Sequence, residues 1–194
     1  SDTGVDDLHC FFFDNTTSQI TTNRTKIIDE DTPITVQSFR RKVVSYAYAS
    51  DSDKIDDKIG GHGTHVSGSA VGSCLTEGIT KDHGNAPEAK LAFYDLSTDG
   101  ESLSIFPSLT KIFDVAKDSG AYISSGSWGS AAILAQYYTS TDAELDQYMY
   151  NNIDFLAVFA AGNNGAEGSN TVLSPGYSKN GVTVGSAMVR TDPY

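Results

Sequence analysis

Long apolar runs, cysteine and basic charge are all scarce in this sequence of 194 residues. The longest apolar stretch covers only residues 155–161, far short of the roughly 20 residues of a transmembrane helix, so no membrane span is predicted. Thirteen Lys and Arg stand against 25 Asp and Glu, which gives a net charge of −12. This charge argues against nucleic acids and anionic membranes as partners, because both bind clustered Lys and Arg, and no nucleic-acid partner is expected.

An initiator Met and a basic, apolar leader are also missing, since the sequence opens with Ser-Asp-Thr-Gly. We therefore expect a piece of a longer protein. The hydrophobic content of 39% and the aromatic content of 10% predict a folded domain rather than a disordered one.

The two cysteines, Cys10 and Cys74, permit one disulfide bridge. Their alternative state is two free thiols in a cytosolic protein. Two N-glycosylation sequons begin at Asn15 and Asn23. Together with the even cysteine count, they favour a disulfide-bonded glycoprotein that is secreted or held in the secretory pathway.

The order of predicted elements indicates the fold class. After a polar region of loops and short strands at 14–58, strands and helices alternate along the chain. The predicted strands are 42–48, 90–96, 121–125, 154–161 (fully buried) and 181–185, and the predicted helices are 62–72, 103–118 and one that follows a capping box at 141–144. This alternation predicts an α/β fold with a mostly parallel sheet, in which function lies at the carboxyl ends of the strands.

Two segments carry titratable side chains in surroundings that suit catalysis. Asp2, in Asp-Thr-Gly, fits the tip of a strand, although an Asx turn or half of an aspartic-protease pair has the same pattern. His62 stands between glycines in Gly-Gly-His-Gly-Thr-His, which suits a general base at the start of a helix. A zinc pair with His65 and a structural histidine are the alternatives, and His65 itself is expected to be a buried, packing residue.

Two further segments follow predicted strands. Ser127, Trp128 and Gly129 end one strand in residues that can pair with an extended peptide, or that form a simple Gly/Ser turn around a buried Trp. Asn163 follows the buried strand in Ala-Ala-Gly-Asn-Asn-Gly. Its amide suits an oxyanion donor, and an Asn-Gly hairpin is the alternative.

Taken together and in this order, the four segments resemble those of the subtilisin-like serine proteases, the subtilases. The resemblance covers residues 1–6 and about 58–190 and implies a three-layer α/β fold with helices on both faces of the sheet. It implies a serine endopeptidase in which Asp2 orients His62, His62 is the general base and Asn163 is the oxyanion donor. Ser127, Trp128 and Gly129 would bind the polypeptide substrate.

The family's nucleophilic serine has no counterpart here. Ser186 follows a strand but lacks the Gly-Thr-Ser context of the family. We therefore expect residues 1–194 to form a single, partial peptidase domain, incomplete at both ends and inactive by itself. The alternative hypothesis is a non-catalytic peptide-binding module. A third hypothesis is a flavodoxin-like or Rossmann-like nucleotide domain, which the His62 segment disfavours.

The resemblance implies no required cofactor and no catalytic metal, although subtilases often bind structural calcium. Acidic residues that supply oxygen ligands occur at Asp6, Asp7, Asp14 and 51–57, but no spacing defines a site, and a solvated acidic loop is the alternative for 51–57. The sequence leaves the oligomeric state and the preferred substrate residue open.

Overall fold

The computed structural model describes residues 1–15, 20, 24–50, 60–75, 82–98, 102–130 and 137–187. The chain divides into two compact units, Ser1–Ser124 and Ser125–Tyr194. Each unit is described by itself below.

Helices and parallel strands alternate along the described chain, which confirms the predicted α/β class. The elements are β1 (Thr25–Lys26), β2 (Val43–Tyr48), α1 (His62–Val71), β3 (Leu91–Asp95), α2 (Leu109–Asp118), β4 (Ile123–Gly126), α3 (Ser140–Asn151), β5 (Leu156–Ala160), a 3₁₀ turn (Gly165–Glu167) and β6 (Val182–Val184). None of the helices in the described ranges combines the length and apolarity that a membrane crossing needs.

The first sheet has the order β1–β2–β3, and all of its strands run parallel. Strand β2 is the central strand, and its residues are buried except at Tyr48. Apolar side chains from this strand, from β3 and from the N-terminal segment share one core cluster, which contains Val5, Phe12, Ile20, Val43, Tyr46 and Phe93. Burial of this cluster fixes the N-terminal segment against the sheet.

Helix α2 is shorter than predicted: it begins at Leu109, whereas the predicted start is residue 103. The hydroxyl of Ser108 accepts a hydrogen bond from the backbone N–H of Lys111 and caps the helix. Pro107 disfavours a helical conformation at the residue before it, and Ile105 is 37% exposed. The predicted end is confirmed, since α2 stops at Asp118 and Gly120 has a positive φ of 83°.

The second sheet has the order β4–β5–β6, with β5 and β6 parallel. The prediction of a fully buried strand at 154–161 is wrong, since residues of β5 alternate between buried and more exposed positions. Alternation is the pattern of a strand with one face against a core. A run of apolar residues does not reveal it, because both faces then carry the same kind of side chain.

The predicted capping box at 141–144 is also wrong by two residues. Helix α3 begins at Ser140, and its box joins Thr139 to Asp142. The backbone N–H and the hydroxyl of Thr139 both donate to Oδ2 of Asp142, at 2.8 Å each. The pattern of hydroxyl and acid three residues apart occurs twice in this stretch, and burial of Asp142 selects the earlier one.

Candidate active site

Asp2 and His62 meet in the first unit, although 60 positions separate them in sequence. The Nδ1 atom of His62 lies 2.7 Å from Oδ1 of Asp2. The Asp2 side chain is 2% exposed, whereas the His62 side chain is 53% exposed. The pair therefore combines a carboxylate withdrawn from water with an imidazole that solvent and ligands reach.

The backbone of Asp2 is held at the carboxyl end of β3, where the topology of a parallel sheet places functional groups. Asp2 forms a parallel bridge with Asp95. Its N–H donates to the carbonyl oxygen of Tyr94 at 3.2 Å, and its own carbonyl oxygen accepts from the N–H of Leu96 at 2.9 Å. This position for Asp2 matches the strand tip that its sequence predicts.

His62 is the first residue of helix α1, so its backbone is oriented by the helix. The next residue, Gly63, allows the helix to approach the Asp2 segment. A Cβ atom on Gly63 would lie 2.1 Å from the carbonyl oxygen of Gly4 and 3.1 Å from Cβ of Asp2. The N–H of Gly63 donates to the hydroxyl of Thr3 at 3.1 Å. Glycine beside His62 is thus a requirement of the close packing.

The two carboxylate oxygens of Asp2 have different partners. Oδ1 accepts hydrogen bonds from the N–H of Thr3 at 2.8 Å and from the His62 ring. Oδ2 is buried and has no hydrogen-bond partner among the described residues. Most buried acceptors in folded proteins have a hydrogen-bond partner, so Oδ2 is an exception among the described residues.

This geometry assigns a tautomer to the neutral imidazole. A carboxylate is an acceptor only, so the hydrogen between the two side chains belongs to Nδ1 of His62. The lone pair then lies on Nε2, the atom able to take a proton from a nucleophile, and the Asp2 charge stabilises the imidazolium that results.

His65 is not the buried residue that its sequence context predicts, since its side chain is exposed. With Asp6, Phe11 and His83 it lines a cavity of about 580 Å³ in the first unit. The side chain of the adjacent Thr64 forms a hydrogen bond inside the first unit, because its hydroxyl accepts from the N–H of Asp6 at 2.9 Å. His62 and His65 are three residues apart and therefore lie on the same side of α1, and both are exposed.

Asn163 lies in the second unit, on the exposed turn that follows β5. The turn continues into the 3₁₀ turn and returns to a parallel strand, so it is not the hairpin that Asn-Gly also permits. Gly162, Asn163 and Ser186 are among the residues that line a cavity of about 690 Å³. The Asn163 amide is therefore placed beside a concave, solvent-reachable surface.

Ser127, Trp128 and Gly129 also lie in the second unit. The ring of Trp128 is half-buried and meets the ring of Phe159 edge-on, with 5.0 Å between centroids. Leu173 packs beside both Gly129 and Gly162. Its side chain therefore joins the predicted substrate-binding segment to the turn that carries Asn163.

Sequence reasoning missed Leu173 because no motif distinguishes it from other apolar residues. It also missed the role of Asp142, which is fully buried and lies in α3. Oδ2 of Asp142 accepts from Thr139 and from the hydroxyl of Ser174 at 2.6 Å, and Oδ1 accepts from the N–H of Tyr177 at 3.0 Å. The earlier of the two capping-box patterns is the signal that points to this residue.

The described residues contain no group of three His, Cys, Asp or Glu side chains arranged to hold a metal ion. Three carboxylates considered for calcium instead accept backbone hydrogen bonds: Asp6 from Leu8, Asp7 from Ile20 and Asp14 from Arg41. The acidic run at 51–57 lies outside the described residues. Structural calcium stays a prediction.

An α/β fold with a buried aspartate bonded to an exposed histidine is the arrangement of acid and base that serine hydrolases use. Comparison with known proteins agrees with this class. Residues 1–193 match the Subtilase family of peptidases, Peptidase_S8, and the chain belongs to that family.

Curated relatives come from Dictyostelium discoideum. The chain is 34% identical over 199 residues to the serine protease/ABC transporter B family protein tagA and 32% identical over 203 residues to tagD, and each alignment covers the whole chain. It is 34% identical over 190 residues to tagB, with 96% of the chain aligned. The chain spans only about a tenth of the length of these relatives. No solved structure matches it.

Proposed function

We propose that these residues are the part of a subtilase-type serine endopeptidase domain that supplies the acid, the base and the oxyanion donor. The observation that carries this proposal is the hydrogen bond of 2.7 Å between His62 and the buried Asp2. The substrate is a polypeptide, as expected for the family. The names of the Dictyostelium relatives join a serine protease to an ABC transporter, and we extend only the protease function to these residues.

In this proposal His62 acts first as a general base and then as a general acid. Its Nε2 takes the proton of a serine hydroxyl as that oxygen attacks the scissile carbonyl carbon, and then gives the proton to the leaving amine. Asp2 keeps the imidazole in the required tautomer and stabilises its charged form. We propose that the attacking serine lies outside residues 1–194.

Asn163 is proposed to donate an amide N–H to the oxygen that becomes negatively charged in the transition state. Its exposure beside the cavity of about 690 Å³ supports this role. Loss of such a donor slows catalysis by roughly 100- to 1,000-fold. Ser127, Trp128 and Gly129 are proposed to bind the substrate backbone, and the packing of Leu173 against Gly129 supports an ordered strand edge there.

A pair of histidine variants tests the proposal in the intact protein that carries this chain. We expect His62→Ala to lower kcat for a peptide substrate by about 10⁶-fold, because the general base is lost. His65→Ala is the matched control, since this residue lies on the same helix and is exposed, and it should retain activity. Equal effects of the two substitutions would refute the assignment.

A second measurement separates the enzyme from a non-catalytic module. A serine-directed phosphonate should label the intact protein at a residue outside 1–194 and should fail to label the His62→Ala variant. Peptide binding without labelling or turnover would favour the binding module. The isolated residues 1–194 should show no turnover, and hydrolysis abolished by Ser186→Ala would overturn that expectation.

We also propose that the protein enters the secretory pathway and carries an N-glycan. Asn15 supports this, since it is exposed and begins a sequon, whereas Asn23 lies outside the described residues. Treatment of the protein purified from its native source with an endoglycosidase should increase its electrophoretic mobility. The Asn15→Gln variant should lose at least part of that shift, and mobility unaffected by the enzyme would contradict the proposal.

A further inference from the structure

The two cysteines lie together in the first unit, at the boundary between the N-terminal segment and helix α1. Cys10 is exposed, whereas Cys74 is buried, with 8% of its surface exposed. The Cys10 thiol is within hydrogen-bonding contact of Cys74. This contact is the largest of the causes that raise the pKa of Cys10, ahead of burial, while Arg41 acts in the opposite direction.

The backbones on both sides of this contact are bonded to each other. The N–H of Ser73 donates to the carbonyl oxygen of Phe11 at 3.3 Å. The ring of Phe11 lies against Gly72, where a Cβ atom would come within 2.4 Å of it. Residues next to each cysteine are therefore packed against each other.

Arg41, on a third segment, bonds the backbone beside both cysteines. We call the contact between residues 10–13 and 72–75 the junction. One of its terminal nitrogens donates to the carbonyl oxygen of Ser73 at 2.9 Å. The other donates to the carbonyl oxygens of Phe11 and Phe13, at 3.1 and 2.8 Å. A planar guanidinium that bonds both segments holds them together, and a disulfide requires that its two cysteines lie close in space.

We propose that Cys10 and Cys74 form an intramolecular disulfide that ties the segment carrying Asp2 to the end of the helix that begins with His62. The co-reactant is a small disulfide of the glutathione class. The thiolate of exposed Cys10 attacks it and forms a mixed disulfide, with release of one glutathione thiolate. The thiolate of Cys74 then attacks the Cys10 sulfur and releases the second glutathione, while the two cysteine protons go to solvent.

The bridge follows from the packing of the first unit and does not depend on the proposed peptidase reaction. Because the loop it closes is long, the bridge restricts the unfolded chain strongly. In the folded protein it opposes local separation of the Asp2 segment from α1. The expected consequence is a redox-dependent stability of the junction.

Peptide mapping of the intact protein tests the chemistry. After equilibration with excess glutathione disulfide, denaturation and alkylation, the wild-type protein should yield a linked peptide pair containing Cys10 and Cys74. The Cys74→Ala variant should stop at a glutathione adduct on Cys10, and Cys10→Ser should leave buried Cys74 unmodified. A stable glutathione adduct on wild-type Cys10, or a Cys10–Cys10 link between two molecules, would overturn the proposal.

Amide hydrogen exchange tests the consequence. Oxidation should slow exchange at least several-fold at residues 11–13 and 72–75, because local opening at the junction is suppressed. Helix α2 serves as the internal control and should exchange equally in both states. The Cys10→Ser/Cys74→Ala double variant should not respond to redox conditions. Equal exchange at the junction in oxidised and reduced wild-type protein would contradict the tie.

Discussion

Asp2 in the first unit and Asp142 in the second are both buried, and they differ in how fully their oxygens are bonded. Asp142 accepts four hydrogen bonds and uses both oxygens. Asp2 accepts two on Oδ1, one of them from His62, while Oδ2 has no partner among the described residues. Asp142 therefore joins α3 to residues 174–177, whereas Asp2 is bonded to the neighbouring Thr3 and to the His62 ring.

The difference also has an energetic side. Both carboxylates are almost fully buried. Loss of the Asp142 carboxylate would leave buried donors without an acceptor, at about 1–3 kcal/mol for each such group. The Asp2 carboxylate instead bonds an exposed imidazole. Substitutions at the two positions should accordingly affect different quantities.

The largest effect is expected from Asp2→Asn in the intact protein. An amide at this position favours the wrong imidazole tautomer, so kcat for peptide hydrolysis should fall about 10⁴-fold. Circular dichroism should show that the fold is retained. A variant that keeps wild-type kcat, or that loses activity only because it unfolds, would remove the contrast with Asp142.

Asp142→Ala should act on stability instead. It leaves the donors of Thr139, Ser174 and Tyr177 without their buried acceptor, and we expect a loss of about 3 kcal/mol in the free energy of unfolding. Urea unfolding measures this loss. Gln147→Ala on the exposed side of the same helix is the control and should change stability by less than about 0.5 kcal/mol. Similar values for the two variants would show that the Asp142 network contributes little.

Gly63→Ala tests whether close packing, rather than the two side chains alone, builds the Asp2–His62 pair. The added methyl group would overlap the carbonyl oxygen of Gly4, so a loss of about 2 kcal/mol is expected, with reduced kcat. Gly165→Ala in the second unit is the matched substitution, because a Cβ atom there meets nothing within 4 Å. Thermal unfolding and kinetics should separate the two, and full activity of Gly63→Ala would contradict the packing argument.

The smallest expected effect concerns the helix caps of the two units. Ser108→Ala removes one hydrogen bond from the start of α2 and should cost about 1 kcal/mol, while Ser108→Asp should restore most of it. Thr139→Ala should cost more, since this hydroxyl also contacts Asp142 and Ser174. Urea unfolding that ranks the two alanine variants in the reverse order would mean that the cap of α3 is not coupled to the buried carboxylate.

The sequence predicts the α/β class because the alternation of strand and helix patterns is a local signal. Glycines on both sides also mark His62 locally, whereas Asp2 and its pairing with His62 are predicted from the resemblance to the subtilases. The start of α2 and the burial of β5 escape prediction because they depend on competition with Pro107 and on what covers each face of a sheet. The network around Asp142 joins α3 to residues 174–177, and periodicity contains no information about such distant partners.

The anchoring of Asp2 on β3 has a consequence for the order of folding. The backbone partners of Asp2 are Tyr94 and Leu96, which lie 92 and 94 positions further along the chain. Closing so long a loop costs chain entropy before the contact can form. During synthesis Asp2 and His62 are therefore both made before β3, the strand that fixes the backbone of Asp2.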